Sequence, residues 1–147
     1  MQLEITKPGI LVQNMERIGI SIDEKLLAGF DELIARRSYP NRSEAVRDLV
    51  RKEISEERLQ DPETEAVAAV LLVYDHHSAR LSQRLMDIQH DHLLSTISSM
   101  HVHISHRDCL EVIVLRGKVG QIKHLADNLV SLKGVKLGRV NLVAAGH

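Results

Sequence analysis

Seven of the nine histidines of this 147-residue chain fall between residues 76 and 106, and its single cysteine, Cys109, follows directly after them. The compact group is His101-Val102-His103. On a strand, residues i and i+2 point to one face, so both imidazoles project together. Val102 and Ile104 are then expected to point the other way, into a core. If the next strand folds back as a hairpin, Cys109 comes alongside and its thiolate joins the two ring nitrogens. Glu111 shares the face of Cys109 and can hydrogen-bond a ligand imidazole from behind. Three ligands leave a coordination position open. His90 and His92, near the end of the preceding helix, lie closest to it in sequence, and spacing leaves open whether His90 reaches the same ion within one chain or across an interface.

Imidazole with one thiolate is a borderline-soft donor set, which excludes Mg(II) and Ca(II) and leaves Ni(II), Cu(II), Co(II) and Zn(II). A planar arrangement of three nitrogens and one sulfur suits nickel or copper, and a tetrahedral one suits zinc; residue types do not choose between them. A lone cysteine is more often a buried, inert thiol. A Cys–His nucleophile is the other sharp option, but nothing supplies an oxyanion hole or substrate cleft, so no enzyme is expected. His76 and His77 follow an apolar run and can line a second metal site or cap an interface. His106, His124 and His147 sit in a turn, on a helix surface and at the terminus, and are not expected to be ligands. Glu44 and Asp48 stand one helical turn apart, either as a solvated face or as a pair sharing a cation.

The elements that must position these residues change character near residue 60. Met15–Ile22 alternates, with Arg17, Gly19 and Ser21 on one face and Ile18, Ile20 and Ile22 on the other, which predicts a short half-buried strand. Asp23 can cap a helix bearing Leu26, Leu27, Phe30, Leu33 and Ile34. Ser38-Tyr39-Pro40 interrupts it. Asn41 and Glu44 form a capping pair for a second helix with the stripe Ala45, Val46, Leu49, Val50 and Ile54. A strand–helix–helix unit over residues 15–58 buries too little surface to stand alone, and its lone strand needs another strand. A second copy of the chain supplies both. Residues 1–14 read as an arm, and 59–65, acidic and containing Pro62, as a linker. Residues 66–147 read as a second domain. There Ala66–Tyr74 is an apolar strand, Leu81, Leu85 and Ile88 mark a helix, and Leu93–Ser105 and Cys109–Leu115 are strands. Ile122, Leu125, Ala126, Leu129 and Val130 mark another helix, and Val135–Val143 is a last strand. The order βαββαβ is the ferredoxin-like pattern, so the fold class is α+β.

Composition narrows the function. Apolar residues make up 44% and charged residues 27%, with a formal net charge of -1, which excludes a generally polybasic coat for nucleic acid or membrane. No Trp, one Phe and two Tyr leave no stacking platform for single-stranded nucleic acid. One cysteine excludes an intramolecular disulfide and a multi-cysteine zinc module. No apolar run approaches the roughly 18–20 residues of a membrane span, and the amino terminus lacks a signal-peptide pattern, so a cytoplasmic, reducing compartment is expected. The strand–helix–helix unit matches the ribbon-helix-helix design, in which strands of two chains pair and enter the DNA major groove. Arg17 and Ser21 would then read base edges or phosphate, and Gly19 would contribute only backbone or shape. Asn41, Arg42 and Ser43, at a helix start, would meet a phosphate.

With these residues together, the chain resembles the nickel-responsive transcriptional regulators (the NikR family) from Met15 onward. The stretches that carry the resemblance are Tyr39-Pro-Asn-Arg-Ser-Glu-Ala-Val-Arg-Asp48, Tyr74-Asp-His76, Gln89-His90 and His101-Val-His103-Ile-Ser-His-Arg-Asp-Cys109-Leu-Glu111. The resemblance implies a ribbon-helix-helix domain and a metal-binding ACT domain, assembled as a homotetramer, a dimer of dimers, through the ACT domains. It implies one square-planar Ni(II) per chain, bound by His101, His103 and Cys109 of one chain and His90 of a neighbour. Tyr74, His76, Gln89 and Glu111 would surround that site, and a second cation would lie near Glu44 and Asp48. Where the family often carries a polar residue at the centre of its DNA-reading strand, this chain has Gly19. The expected function is a metal-gated repressor that binds double-stranded operator DNA and controls nickel-uptake genes. The alternatives are a metal store without DNA function and a small-molecule-sensing ACT-domain repressor.

Overall fold

The computed structural model of the chain describes residues 16–92 and 95–145. The amino-terminal arm with Met15, the expected strand start at Leu93, and His147 lie outside the described residues. The elements are α1 (Glu24–Arg36), α2 (Arg42–Arg58), β1 (Glu65–Asp75), α3 (Ala79–Asp91), β2 (Thr96–His103), β3 (Asp108–Lys118), α4 (Val119–Val130) and β4 (Val135–Ala144). The boundary between two compact units falls inside α2, after Ala45.

In the first unit Asp23 caps α1, its Oδ1 accepting from the Leu26 amide at 2.9 Å. The helix ends in a paired-bond cap: the Tyr39 amide donates to the Ile34 carbonyl and the Ser38 amide to Ala35. Ser38 takes the left-handed conformation that this cap demands, with φ of 56°. Asn41 then opens α2, its Oδ1 accepting from the Glu44 amide at 2.9 Å. One expectation is not met. Residues 16–23 form no ladder, and Ile18 and Ile20 are exposed. A strand satisfies its backbone groups only through a neighbour, and a single chain offers this segment none.

In the second unit β1–β4 form one antiparallel sheet in the order β2-β3-β1-β4. Burial alternates along β1 and β3, as period-2 geometry requires. Ala66, Ala68, Val70, Leu72 and Tyr74 of β1 pack with Ile113 and Leu115 of β3 on one face. Leu81, Leu85 and Ile88 of α3 and Val119, Ile122, Leu125 and Leu129 of α4 cover that face and close the core. The segment after α2 is docked on this unit. The carbonyls of Pro62 and Thr64 accept from the Gly120 and Val119 amides, so two donors at the start of α4, which have no intrahelical partner, are satisfied.

The other face of the sheet is apolar and open. Ile97, Met100, Val102 and Ile104 on or just after β2, with Leu137 and Val143 of β4, are all exposed. Val102 and Ile104 were expected in the core, and the register corrects this. His103 pairs with the fully buried Cys109, and directly paired residues share a face, so the histidines take the helix-covered side. Val102, opposite Leu110, takes the open one.

Gly138 of β4 lies beneath Val130 of α4, where an added Cβ would meet Val130 Cβ at 2.6 Å and Cγ1 at 2.7 Å. Gly138→Ala should therefore destabilise the metal-free protein by about 1–3 kcal/mol through overpacking, as measured by urea unfolding.

Candidate metal centre

The β2–β3 register assembles the site. It sets His103 opposite Cys109 and His101 opposite Glu111, while β1 on the other side sets Tyr74 opposite Cys109 and Leu72 opposite Glu111. Five of the polar residues singled out in the sequence, His101, His103, Cys109, Glu111 and Tyr74, thus share one face across three strands. The rings of His101 and His103 lie 5.1 Å apart, edge to face. The ligand atoms of His101, His103 and Cys109 are not drawn together within 4.8 Å, as those of Asp75, His76 and His77 are.

Cys109 is fully buried, and its thiol faces the Tyr74 carbonyl at 3.5 Å. Burial pushes the Cys109 thiol above its ordinary pKa; a hydrogen bond with the Tyr74 side chain opposes this and the Glu111 carboxylate adds to it. The resting group is therefore a protonated thiol, and any metal held there must displace the proton. Glu111 is the buried charged residue beside it. Its Oε2 accepts from the Tyr74 hydroxyl at 2.6 Å, and its Oε1 from the Gln89 side-chain amide at 2.8 Å. Burial, then the contact with Glu111, pushes the Tyr74 phenol far above its ordinary range, so it stays a donor. The Tyr74 oxygen also lies 3.5 Å from His101 Nδ1. Tyr74, Glu111 and Gln89 thus form a short chain of hydrogen bonds that runs from a candidate ligand ring across the sheet to α3.

His90 follows Gln89 on α3, and its side chain is exposed. Neighbouring residues of a helix point about 100° apart. With Gln89 turned in to Glu111, His90 projects about 100° further around α3 and is exposed. No hydrogen bond or ring contact joins it to His101, His103 or Cys109 among the described residues. His76 packs edge-on against His103 with ring centroids 4.8 Å apart. Glu44 and Asp48 both lie on α2, and Asp48 accepts from Arg51 at 3.1 Å.

The expected DNA-facing residues lie in the first unit. Arg17, Gly19 and Ser21 are exposed in the extended segment ahead of α1, and Asn41, Arg42 and Ser43 open α2. The partner of Arg42 was not legible in the sequence. Its Nε and Nη2 donate to the two carboxylate oxygens of Asp31 on α1 at 2.7 and 2.6 Å. That pair raises the Arg42 pKa and lowers that of Asp31. A separation of eleven residues carries no local signal, because it depends on how the turn at Ser38 folds the helices together. Asp75, which joins His76 and His77, was likewise missed as a candidate, since a single carboxylate ending an apolar run reads as a strand boundary.

Residues 67–143 match the family of NikR C-terminal nickel-binding domains, and residues 16–57 match the ribbon-helix-helix proteins of the copG family. Relatives described as nickel-responsive regulators include one from Solibacter usitatus, 47% identical over 92% of this chain and 97% of its own length. Another, from Geobacter sulfurreducens, is 48% identical over 89% of this chain and 94% of its own length. A third, from Nitratidesulfovibrio vulgaris, is 46% identical over 89% of this chain and 94% of its own length.

The hydrogen-bond chain predicts the weight of Glu111. Glu111→Ala leaves the buried Tyr74 hydroxyl and the Gln89 amide without their acceptor. It should lower the unfolding free energy of the metal-free protein by about 1–3 kcal/mol, with the loss read from the denaturant midpoint in the absence of nickel.

Proposed function

The chain belongs to the NikR family of nickel-responsive, ribbon-helix-helix regulators, and on that premise we propose that it is a nickel-gated repressor that binds operator DNA upstream of nickel-uptake genes. It is a DNA-binding regulator rather than an enzyme. The observation that supports the gate is the β2–β3 register, which aligns His101, His103 and Cys109 on one face of the hairpin. Two imidazoles and a thiolate suit Ni(II) and disfavour the hard cations. In this reading each chain holds one ion through His101, His103 and Cys109, and His90, turned outward on α3, supplies the fourth ligand to the ion of a neighbouring chain. Nickel, when bound, supplies a coordinate link between chains.

The residues around the ligands orient them. Tyr74 and Gln89 hold the Glu111 carboxylate, and Tyr74 approaches the His101 ring nitrogen, so ring direction is set by the protein before the ion arrives. Gln89 also anchors the helix turn that carries His90. The open apolar face of the sheet, with Met100, Val102, Leu137 and Val143 exposed, supports assembly of several copies through this domain. A homotetramer, a dimer of dimers, is the assembly that this reading expects.

Exposed Ile18, Ile20 and Ile22 ahead of α1, and Leu49, Val50 and Ile54 along α2, support pairing of the amino-terminal segment with a second copy. The paired strands would present Arg17 and Ser21 to base edges, with Gly19 allowing close backbone approach. Asn41, Arg42 and Ser43 at the start of α2 would meet the phosphate backbone. The division of labour is then residues 15–58 for DNA, 59–65 for connection and 66–147 for nickel and assembly. No helix among the described residues is long and apolar enough to cross a membrane. A reducing compartment, where Cys109 stays a thiol, fits the ligand set.

Two outcomes are expected. At fixed salt, one equivalent of Ni(II) per chain should tighten binding to a promoter fragment of a nickel-uptake gene by roughly 5–150-fold, the usual span of allosteric coupling. Cys109→Ala should remove that gain together with the thiolate-to-nickel absorption band. Equal binding with and without nickel would defeat the reading. The second outcome concerns protons. Because burial lifts the Cys109 pKa, nickel must displace the thiol proton, and apparent affinity should rise with pH by about one log unit per pH unit while the metal-free thiol remains protonated. A competition titration against a chelator of known proton dependence reads this slope.

A further inference from the structure

In the first unit one ion pair ties the two helices together. Asp31 stands on α1, eleven residues before Arg42, the first residue of α2. The left-handed turn at Ser38 brings them together. The contact is bidentate: Arg42 Nε donates to Asp31 Oδ1 at 2.7 Å, and Nη2 donates to Oδ2 at 2.6 Å. Both side chains lie at the surface, 58% exposed for Arg42 and 44% for Asp31. An exposed ion pair adds little to stability. Its consequence is geometric, because a two-point contact fixes the plane and direction of the guanidinium.

A guanidinium carries five N–H donors in one plane. Asp31 takes the side fork, made of the Nε hydrogen and one hydrogen of Nη2. The donors left over are the second on Nη2 and both on Nη1, which form the fork at the tip of the side chain. A phosphate takes such a fork bidentately. Asp31 and a phosphate therefore use different edges of the same group and do not compete for one set of donors. The backbone that carries Arg42 is fixed separately, since the Asn41 side chain caps α2 through the Glu44 amide at 2.9 Å.

We propose that Asp31 is a positioning residue for DNA binding: it holds the Arg42 guanidinium by its side fork so that the tip fork meets a backbone phosphate. The proposal rests on the reading of Arg42 as a phosphate contact. A long arginine left to itself samples many rotamers, and ordering it when DNA arrives weakens binding. Held by Asp31, it is ordered beforehand. The carboxylate touches no DNA in this arrangement and acts only through Arg42. Its negative charge opposes the approach of a phosphate, so its net effect on affinity depends on the arginine being present.

The test is a double-mutant cycle of Asp31→Asn and Arg42→Gln in the full-length, nickel-loaded protein. Affinity is read for a promoter fragment of a nickel-uptake gene and for a random-sequence duplex at low salt. Asp31→Asn should weaken binding to both duplexes by roughly two- to tenfold, the span set by ordering one long side chain at an interface. In the Arg42→Gln background it removes only a negative charge, and binding should stay unchanged or tighten. Arg42→Gln should also flatten the slope of log affinity against log salt by about 0.9 for each arginine engaged, an effect that a mere strut between the helices does not produce. An unchanged salt slope in Arg42→Gln overturns the proposal. So does zero coupling between the two substitutions, or coupling of the opposite sign, in which Asp31→Asn tightens binding more when Arg42 is present. Promoter selectivity without coupling defeats this proposal alone. Coupling on both duplexes, with equal affinity for the two, defeats the operator reading alone.

Discussion

The molecule turns on one register. Pairing His103 with Cys109 and His101 with Glu111 sets two exposed imidazoles of an edge strand beside a buried thiol and a buried carboxylate. Because side chains alternate along a strand, a slip of one residue would send both histidines to the open face and break the donor set at once. What holds the register is the core beneath it. Ile113 and Leu115 of β3 lie on the same face as Cys109 and Glu111, and their burial against α3 and α4 penalises any slip. The Tyr74–Glu111–Gln89 hydrogen bonds lock β1, β3 and α3 at the same point. Packing and ligand placement are therefore one constraint.

A second theme is incompleteness. The helix-covered face of the sheet is closed within one chain, whereas the opposite face and the isoleucines before α1 are apolar and exposed. Exposed apolar surface of this extent is costly in a lone domain and normal in a subunit. His90, exposed on α3, follows the same logic. In the proposed assembly, ligands from two chains meet on each ion, so metal occupancy and chain arrangement share one equilibrium. Linkage then requires DNA to tighten nickel by the factor with which nickel tightens DNA. A net charge of -1 is compatible with DNA binding on these terms, because in the proposed mechanism the grip would rest on a local face whose presentation the metal biases rather than on bulk attraction.

Much of this was legible in the chain itself, for identifiable reasons. The caps at Asp23 and Asn41 were readable because capping is local, set by a side-chain oxygen and an amide three residues on. The order of strands and helices from residue 65 onward followed from period and punctuation. The pairing of His101 and His103 followed from alternation alone. The errors are equally physical. Val102 and Ile104 were assigned to the core because apolar residues opposite polar ones normally face inward. Here the polar face is the one that the helices cover, and the apolar face is the one left open. The Met15–Ile22 alternation described a strand that one chain has no means to pair. Asp31 as the partner of Arg42, and Asp75 as the third member of the His76–His77 group, depend on turns that bring distant or unremarked carboxylates into place.

Sequence by itself determined the donor types, their spacing and the local elements, since these rest on side-chain chemistry and on interactions within a few residues. It also carried the family, through matched stretches over Tyr39–Asp48 and His101–Glu111 and the shorter Tyr74-Asp-His76 and Gln89-His90. Tertiary structure alone decided which face each strand presents, that Glu111 is buried between Tyr74 and Gln89, and that His90 turns outward while His76 turns toward His103. It also decided that Asp75, His76 and His77 converge. The physical reason is that facing and burial are set by contacts across strands and helices far apart in the chain. The same residues can be ligands, core or surface until the sheet closes and the helices choose a side.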